Sequence, residues 1–186
     1  NANLIEDNMF ATLDGGFIMC AGGACGNVFG YNFMIDARFD DPWWLCGGPS
    51  MSHSPHPFMN LWEGNKGVQF GADFIHGSSS HNTVFRCRST GWQNSTTTAN
   101  NNAIDFCYKC TRMNVLGCVL GTSGRSDMYE VAYPDYEDRS VQRPIWHLGY
   151  EGPGYIGDPS VEATLLRHGN FDYVTNQTHW DANITD

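Results

Sequence analysis

The chain has 186 residues, 41% of them hydrophobic and only 16% charged, with a formal net charge of −10. That length allows one domain with a sizeable core. The absence of an 18-residue apolar run excludes a helical membrane span. Ten scattered Lys and Arg in an acidic chain argue against a nucleic-acid partner.

Twenty-one glycines, together with many Asn, Ser and Thr, predict a turn-rich β protein with almost no helix. Along the chain, an asparagine followed by an apolar doublet recurs five times, led by Asn3, Asn27, Asn60, Asn82 and Asn114. The steps between them are 24, 33, 22 and 32 residues. After each short β run comes a polar or glycine step and then a second run, as at 33–35, 68–70, 73–75 and 104–108. A period of this size built from short β runs predicts a solenoid. Asparagine suits the corners because it tolerates the left-handed region and its amide can bond the next layer.

Two of the steps are long because they carry insertions. The first, about 36–57, leaves the β pattern and holds Asp40, Asp41, Trp43 and Trp44. The second, about 91–102, is a polar tract that includes Trp92. Insertions at a similar phase are expected to project from one flank and leave a groove between them. An irregular excursion follows over about 122–159, and one more pair of strands is expected around Gly169. The reading is thus a single domain over 1–186, as a piece of a longer chain or with its open ends covered. Exposed end layers predict end-to-end self-association or adjoining domains of a longer chain.

Seven cysteines read as buried core residues with one or two disulfides, or as a metal half-site at Cys107-Tyr108-Lys109-Cys110.

The asparagine-led units, the segment Phe74-Ile75-His76-Gly77-Ser78-Ser79-Ser80-His81-Asn82 and the tail LLRHGNFDYVTN at 165–176 resemble bacterial right-handed parallel β-helix proteins of the pectin-lyase-like superfamily. The resemblance spans nearly the whole chain and is specific for fold. It implies an all-β, single-stranded right-handed parallel β-helix of about five to six coils. It also implies an extracellular or cell-surface, bacterial setting and a carbohydrate-active role, as a polysaccharide lyase or glycoside hydrolase. The alternative is a non-catalytic glycan-binding, adhesin-like or self-assembling module. Adjacent aspartates on a strand would mark the hydrolases of that superfamily, whereas Asp40-Asp41 precedes Pro42 inside an insertion.

The densest candidate chemistry lies in the first insertion and the unit after it. Trp43, Trp44 and Trp92 offer flat faces on which sugar rings stack, and Glu63 offers a carboxylate for hydroxyls. Glycoside hydrolysis needs two carboxyl groups, for which Asp73 with Asp40 or Asp41 are the candidates. Lyase chemistry needs a base and a charge stabiliser, for which His76, His81 and Arg86 lie within one unit. Oxygen ligands from Asp36, Asp40 and Asp41 point to Ca²⁺ as the expected ion.

Overall fold

The computed structural model describes residues 2–13, 22–36, 48–96, 100–132, 142–152 and 156–184. They are all-β and rich in parallel strands. One six-stranded sheet joins, in spatial order, β1 (Leu4–Glu6), β3 (Val28–Gly30), β6 (Leu61–Glu63), β9 (Thr83–Phe85), β12 (Asn114–Leu116) and β16 (Leu166–His168). A second, seven-stranded sheet runs through β2 (Met9–Ala11), β4 (Phe33–Ile35), β7 (Lys66–Gly67), β10 (Arg88–Ser89), β13 (Val119–Leu120), β17 (Asn170–Asp172) and β18 (Gln177–His179). The third holds β5 (Ser50–Ser52), β8 (Phe70–Ala72), β11 (Ile104–Phe106), β15 (Pro144–Leu148) and β14 (Met128–Ala132).

This arrangement corrects the expected single-stranded right-handed parallel β-helix. The strands lie in three mostly parallel sheets side by side rather than in one β-helix. The asparagine spacing tells which strands are neighbours, with Leu4 beside Val28, Val28 beside Leu61 and Leu61 beside Thr83. It does not dictate winding around one axis. The third sheet draws strands from stretches that carry no asparagine unit: β5 from the first insertion, β14 and β15 from the excursion. At the far end β18 returns antiparallel to β17. The short helix α1 (Pro159–Ala163), capped by the Asp158 side chain accepting from the Ser160 amide, precedes β16 and β17, which flank Gly169.

The three-residue strands of the first sheet are each ended by a residue with positive φ. Between the first and second sheets this role falls in turn to Asp7, Tyr31, Gly64, Arg86, Gly117 and Gly169. The residue after each is Asn8, Asn32, Asn65, Cys87, Cys118 and Asn170. Asn32 Oδ1 accepts both the backbone N–H and the side-chain amide of Asn8, at 3.3 and 2.9 Å. Asn65 does the same for Asn32 at 2.9 and 3.0 Å. Cysteines then continue the column. The Cys87 amide donates to Cys118 Sγ at 3.4 Å, and the Cys118 amide to Asn170 Oδ1 at 2.9 Å.

A parallel ladder joins Asn3, Asn27, Asn60 and Asn82 through amide contacts of 2.8 to 2.9 Å. The left-handed residue is the one before these asparagines (Gly26, Met59, His81), not the asparagine itself. Asn114 is one position out of step: it pairs with Thr83, and Met113 takes the ladder position, its sulfur 3.9 Å from the Asn82 amide.

The core is formed by side chains facing inward from all three sheets. Trp62 is stacked on Phe29 at 3.9 Å and meets Phe70 edge-on at 6.3 Å. Ile104, Phe106, Trp146 and Leu148 are equally buried. β8, β11 and β15 are buried on both faces, which is why β15 reads PIWHL without polar alternation. The five described cysteines, Cys25, Cys87, Cys107, Cys110 and Cys118, form no disulfide. Burial pushes the Cys110 thiol up to about 12. Among the described residues no helix is long and apolar enough to cross a membrane.

Candidate ligand-binding groove

On the outer face of the second sheet, the residue after each corner column points away from the core. Phe33, Lys66, Arg88 and Val119 are thereby stacked side by side. A groove of about 380 Å³ crosses this face. Lys66, Arg88, Trp92, Gln93, Thr122 and Asp36 supply its polar and aromatic lining. The groove lies where the two insertions leave the β pattern, since Asp36 opens the first and Trp92 belongs to the second.

The local structure holds the groove residues in place. The Gly91 amide bonds the Val68 carbonyl at 2.7 Å with φ of +61°. A Cβ there would come within 3.1 Å of the Ala103 backbone, so glycine is needed where the chain turns into the second insertion. Thr90 Oγ1 donates to the Trp92 carbonyl at 3.1 Å, and Thr122 Oγ1 to the Thr90 carbonyl at 2.7 Å. The Arg125 guanidinium covers one face of Trp92 at 4.7 Å. Lys66 Nζ lies 4.4 Å from the Phe33 ring, and Arg88 stands over Tyr173 at 5.3 Å. Arg88 Nη1 also donates to the Ser89 and Val119 carbonyls at 2.6 and 3.2 Å. Burial holds the Arg88 pKa below its ordinary value.

Arg86 pairs with Glu63, Arg143 with Asp127 and Arg167 with Glu130, whereas Lys109 and Arg112, on the turns between the third and first sheets, have no ion pair among the described residues. Among the described residues Lys66, Arg88 and Arg125 pair with no carboxylate. Lys66 and Arg88 thus line the groove together with Asp36, and Arg125 stands against its Trp92, so cations outnumber carboxylates there among the described residues. A net charge of −10 taken alone favours neutral glycans, cations or a basic partner. The local charge points the other way.

The remaining sequence candidates are dispersed. Asp40, Asp41, Trp43 and Trp44 lie outside the described residues. Glu63 and Arg86 meet each other and Tyr31 on the exposed corner between the first two sheets, where Tyr31 OH bonds Arg86 Nη2 at 3.0 Å and Glu63 at 3.2 Å. The Tyr31 ring lies flat over Gly64, where any Cβ would sit 2.6 Å from it. Asp73, His76 and His81 are on turns that lead from the third sheet to the first. Asp73 is buried, with its carboxylate accepting from His53 Nδ1 at 2.6 Å and from the Ile75 amide at 2.9 Å. Burial raises its pKa, and the His53 contact works against that rise. The structure therefore brings together Glu63 with Arg86, and Asp36 with Trp92, but not Asp73, His76 and Arg86 in one cleft.

Asp36 is exposed, in the left-handed region, with Thr12 Oγ1 at 3.5 Å from it. Among the described residues no group of three or more His, Cys, Asp or Glu converges to hold a metal. Of the expected oxygen ligands, Asp36 lies among the described residues and Asp40 and Asp41 outside them, so no chemistry is derived through that ion.

Sequence reasoning missed Lys66, Arg88, Arg125 and Thr122. The available signal was positional: Lys66 follows Asn65 as Phe33 follows Asn32, and Arg88 follows Cys87 in the same way. Finding it required treating Cys87 as the equivalent of an asparagine.

No protein-family model matches the chain, and no curated protein or solved structure matches it either.

Proposed function

We propose that this chain is a glycan-binding module that holds an acidic oligosaccharide in the groove over β4, β7 and β10. The observation that carries the reading is the convergence of Lys66, Arg88 and Arg125, without carboxylate partners among the described residues, beside Trp92. A half-buried arginine offers a planar fork for a carboxylate or sulfate group. The adjacent tryptophan supplies an apolar face for the sugar ring. The groove is large enough for part of an oligosaccharide. An extracellular or cell-surface location would give the groove access to such polymers.

Binding is favoured over lyase or hydrolase chemistry because Asp36 is the one carboxylate among the described groove residues. Glycoside hydrolysis requires a pair, one on each side of the scissile bond. The test is calorimetric titration with oligouronates, sulfated oligosaccharides and neutral oligosaccharides of matched length. Acidic ligands are expected to bind, neutral ones at least about tenfold more weakly, and Arg88→Ala and Trp92→Ala to lose about 1–3 kcal/mol each. Equal affinity for neutral and acidic ligands would refute the charge argument. Cleavage of any polymer, lost in Asp73→Ala or His76→Ala, would replace binding with catalysis.

A further inference from the structure

Four of the seven histidines, His53, His56, His76 and His81, sit on two neighbouring turns that pack against each other, 53–58 and 73–81. His53 Nδ1 reaches the buried Asp73 carboxylate at 2.6 Å, and the His53 and His76 rings meet edge to face at 4.7 Å. Ser80 Oγ is shared, with His56 Nε2 at 3.2 Å on one side and His81 Nδ1 at 2.8 Å on the other. Backbone contacts between the turns are few: the Ser80 amide to the Pro57 carbonyl at 3.3 Å, and the Pro55 Cα pressed against Gly77. His56 and His81 are both held in the left-handed region, at φ of 54° and 55°.

We propose that these two turns form a pH-sensitive latch, closed when the imidazoles are neutral and opened when they gain protons. A hydroxyl has one proton. With Ser80 Oγ between two imidazole nitrogens, one ring accepts from the hydroxyl and the other donates to it. Once both rings are cationic, both must donate, the hydroxyl proton loses its acceptor, and two like charges face each other across a single oxygen.

The surroundings carry Arg112 and Lys109 on the positive side, with Asp158, whose Oδ2 accepts from the Lys109 amide at 3.1 Å, as the carboxylate nearest to Lys109. His81 occupies the same corner position as Arg112 in the next layer, with the His81 amide bonded to the Thr111 carbonyl at 3.4 Å. Lys109 rides over Tyr108, which packs on Phe74. Against them stands Asp73, which can neutralise one ring and is already engaged by His53. Asp105 behind it is held by His147 at 2.9 Å, and Cys110, whose Sγ is 3.5 Å from the Asp73 carbonyl, is a neutral thiol. Protonation of His56, His76 and His81 therefore adds charges that no carboxylate among the described residues contacts directly.

The test is hydrogen exchange read by mass spectrometry at about pH 5.5 and about pH 7.5, either side of the usual histidine pKa of about 6.5. Rates are corrected for intrinsic exchange. Peptides covering 51–60 and 73–82 are expected to exchange at least about fivefold faster at the acid side, with the strands of the second sheet unchanged. The His56→Gln/His81→Gln variant, whose amides supply both a donor and an acceptor, should lose that pH response while keeping the wild-type circular dichroism. If that variant is misfolded, an NMR titration of the wild type decides, because a latch requires His56 and His81 to titrate as a coupled pair. Unchanged exchange across the pH range, an identical acid response in the folded variant, or independent titration of the two rings overturns the proposal.

Discussion

Asp73 shows how one side chain can be well placed in sequence and differently employed in structure. Its neighbours make it a candidate acid, yet it is 4% exposed and its oxygens are taken by His53 and the Ile75 amide. Burial raises its pKa above the ordinary 3.8. A carboxyl whose folded pKa is raised binds its proton more tightly in the fold than in the unfolded chain. Its contribution to stability is thus fully present below the unfolded value and is lost as pH rises through the folded one. Urea melts of wild type and Asp73→Asn over a pH series should show this. The stability difference is flat in strong acid, then shifts in favour of the variant as pH rises through the window just above 3.8. A shift in the opposite sense, with the wild type gaining as pH rises, would mean that the His53 contact outweighs burial.

Between elements, the asparagine ladders do what side chains in a sheet of three-residue strands must do. Such strands make few ladder hydrogen bonds of their own, so the corners carry much of the register. Asn60 is 1% exposed, accepts from the Asn27 amide and side chain, and donates to Asn82 and to the Ala24 carbonyl. Asn60→Ala leaves buried donors without partners, each costing about 1–3 kcal/mol, and should lower stability by about 2–4 kcal/mol in chemical denaturation. Asn114→Ala, at the half-buried position beside Thr83, should cost less than about 1 kcal/mol. Equal losses at the two sites would remove the distinction between the ladder column and its neighbour.

The spacing of Asn3, Asn27, Asn60 and Asn82 was legible because an amide ladder demands the same side chain in each layer. Its continuation through Cys87, Cys118 and Met113 was not, because sulfur fills the place of an amide without resembling it in sequence. The third sheet was the least visible element. β8, β11 and β15 are covered on both faces and so lack the alternation that marks a half-buried strand. Reading 122–159 as an irregular excursion followed from that, and so did the expectation of one winding β-helix in place of three sheets.

For the whole molecule, charge is arranged rather than averaged. A net charge of −10 describes the chain, while Lys66, Arg88 and Arg125 describe the groove. Asp36 and Trp92, at the starts of the two insertions, both line it. Its cations were hidden because Lys66 and Arg88 fall on different strands and Arg125 on the turn beyond β13, so that only the pairing of β7, β10 and β13 brings them to one side.

The claim that this groove is the binding site is tested most directly by mapping an acidic hexasaccharide onto the isotope-labelled protein by NMR. The account predicts that the largest shift changes fall on the backbone and side chains of Lys66, Val68, Arg88, Trp92 and Thr122, and that they weaken steeply as salt is raised. Shifts centred instead on His53, His76 and Tyr108, or spread evenly over the surface, would contradict it.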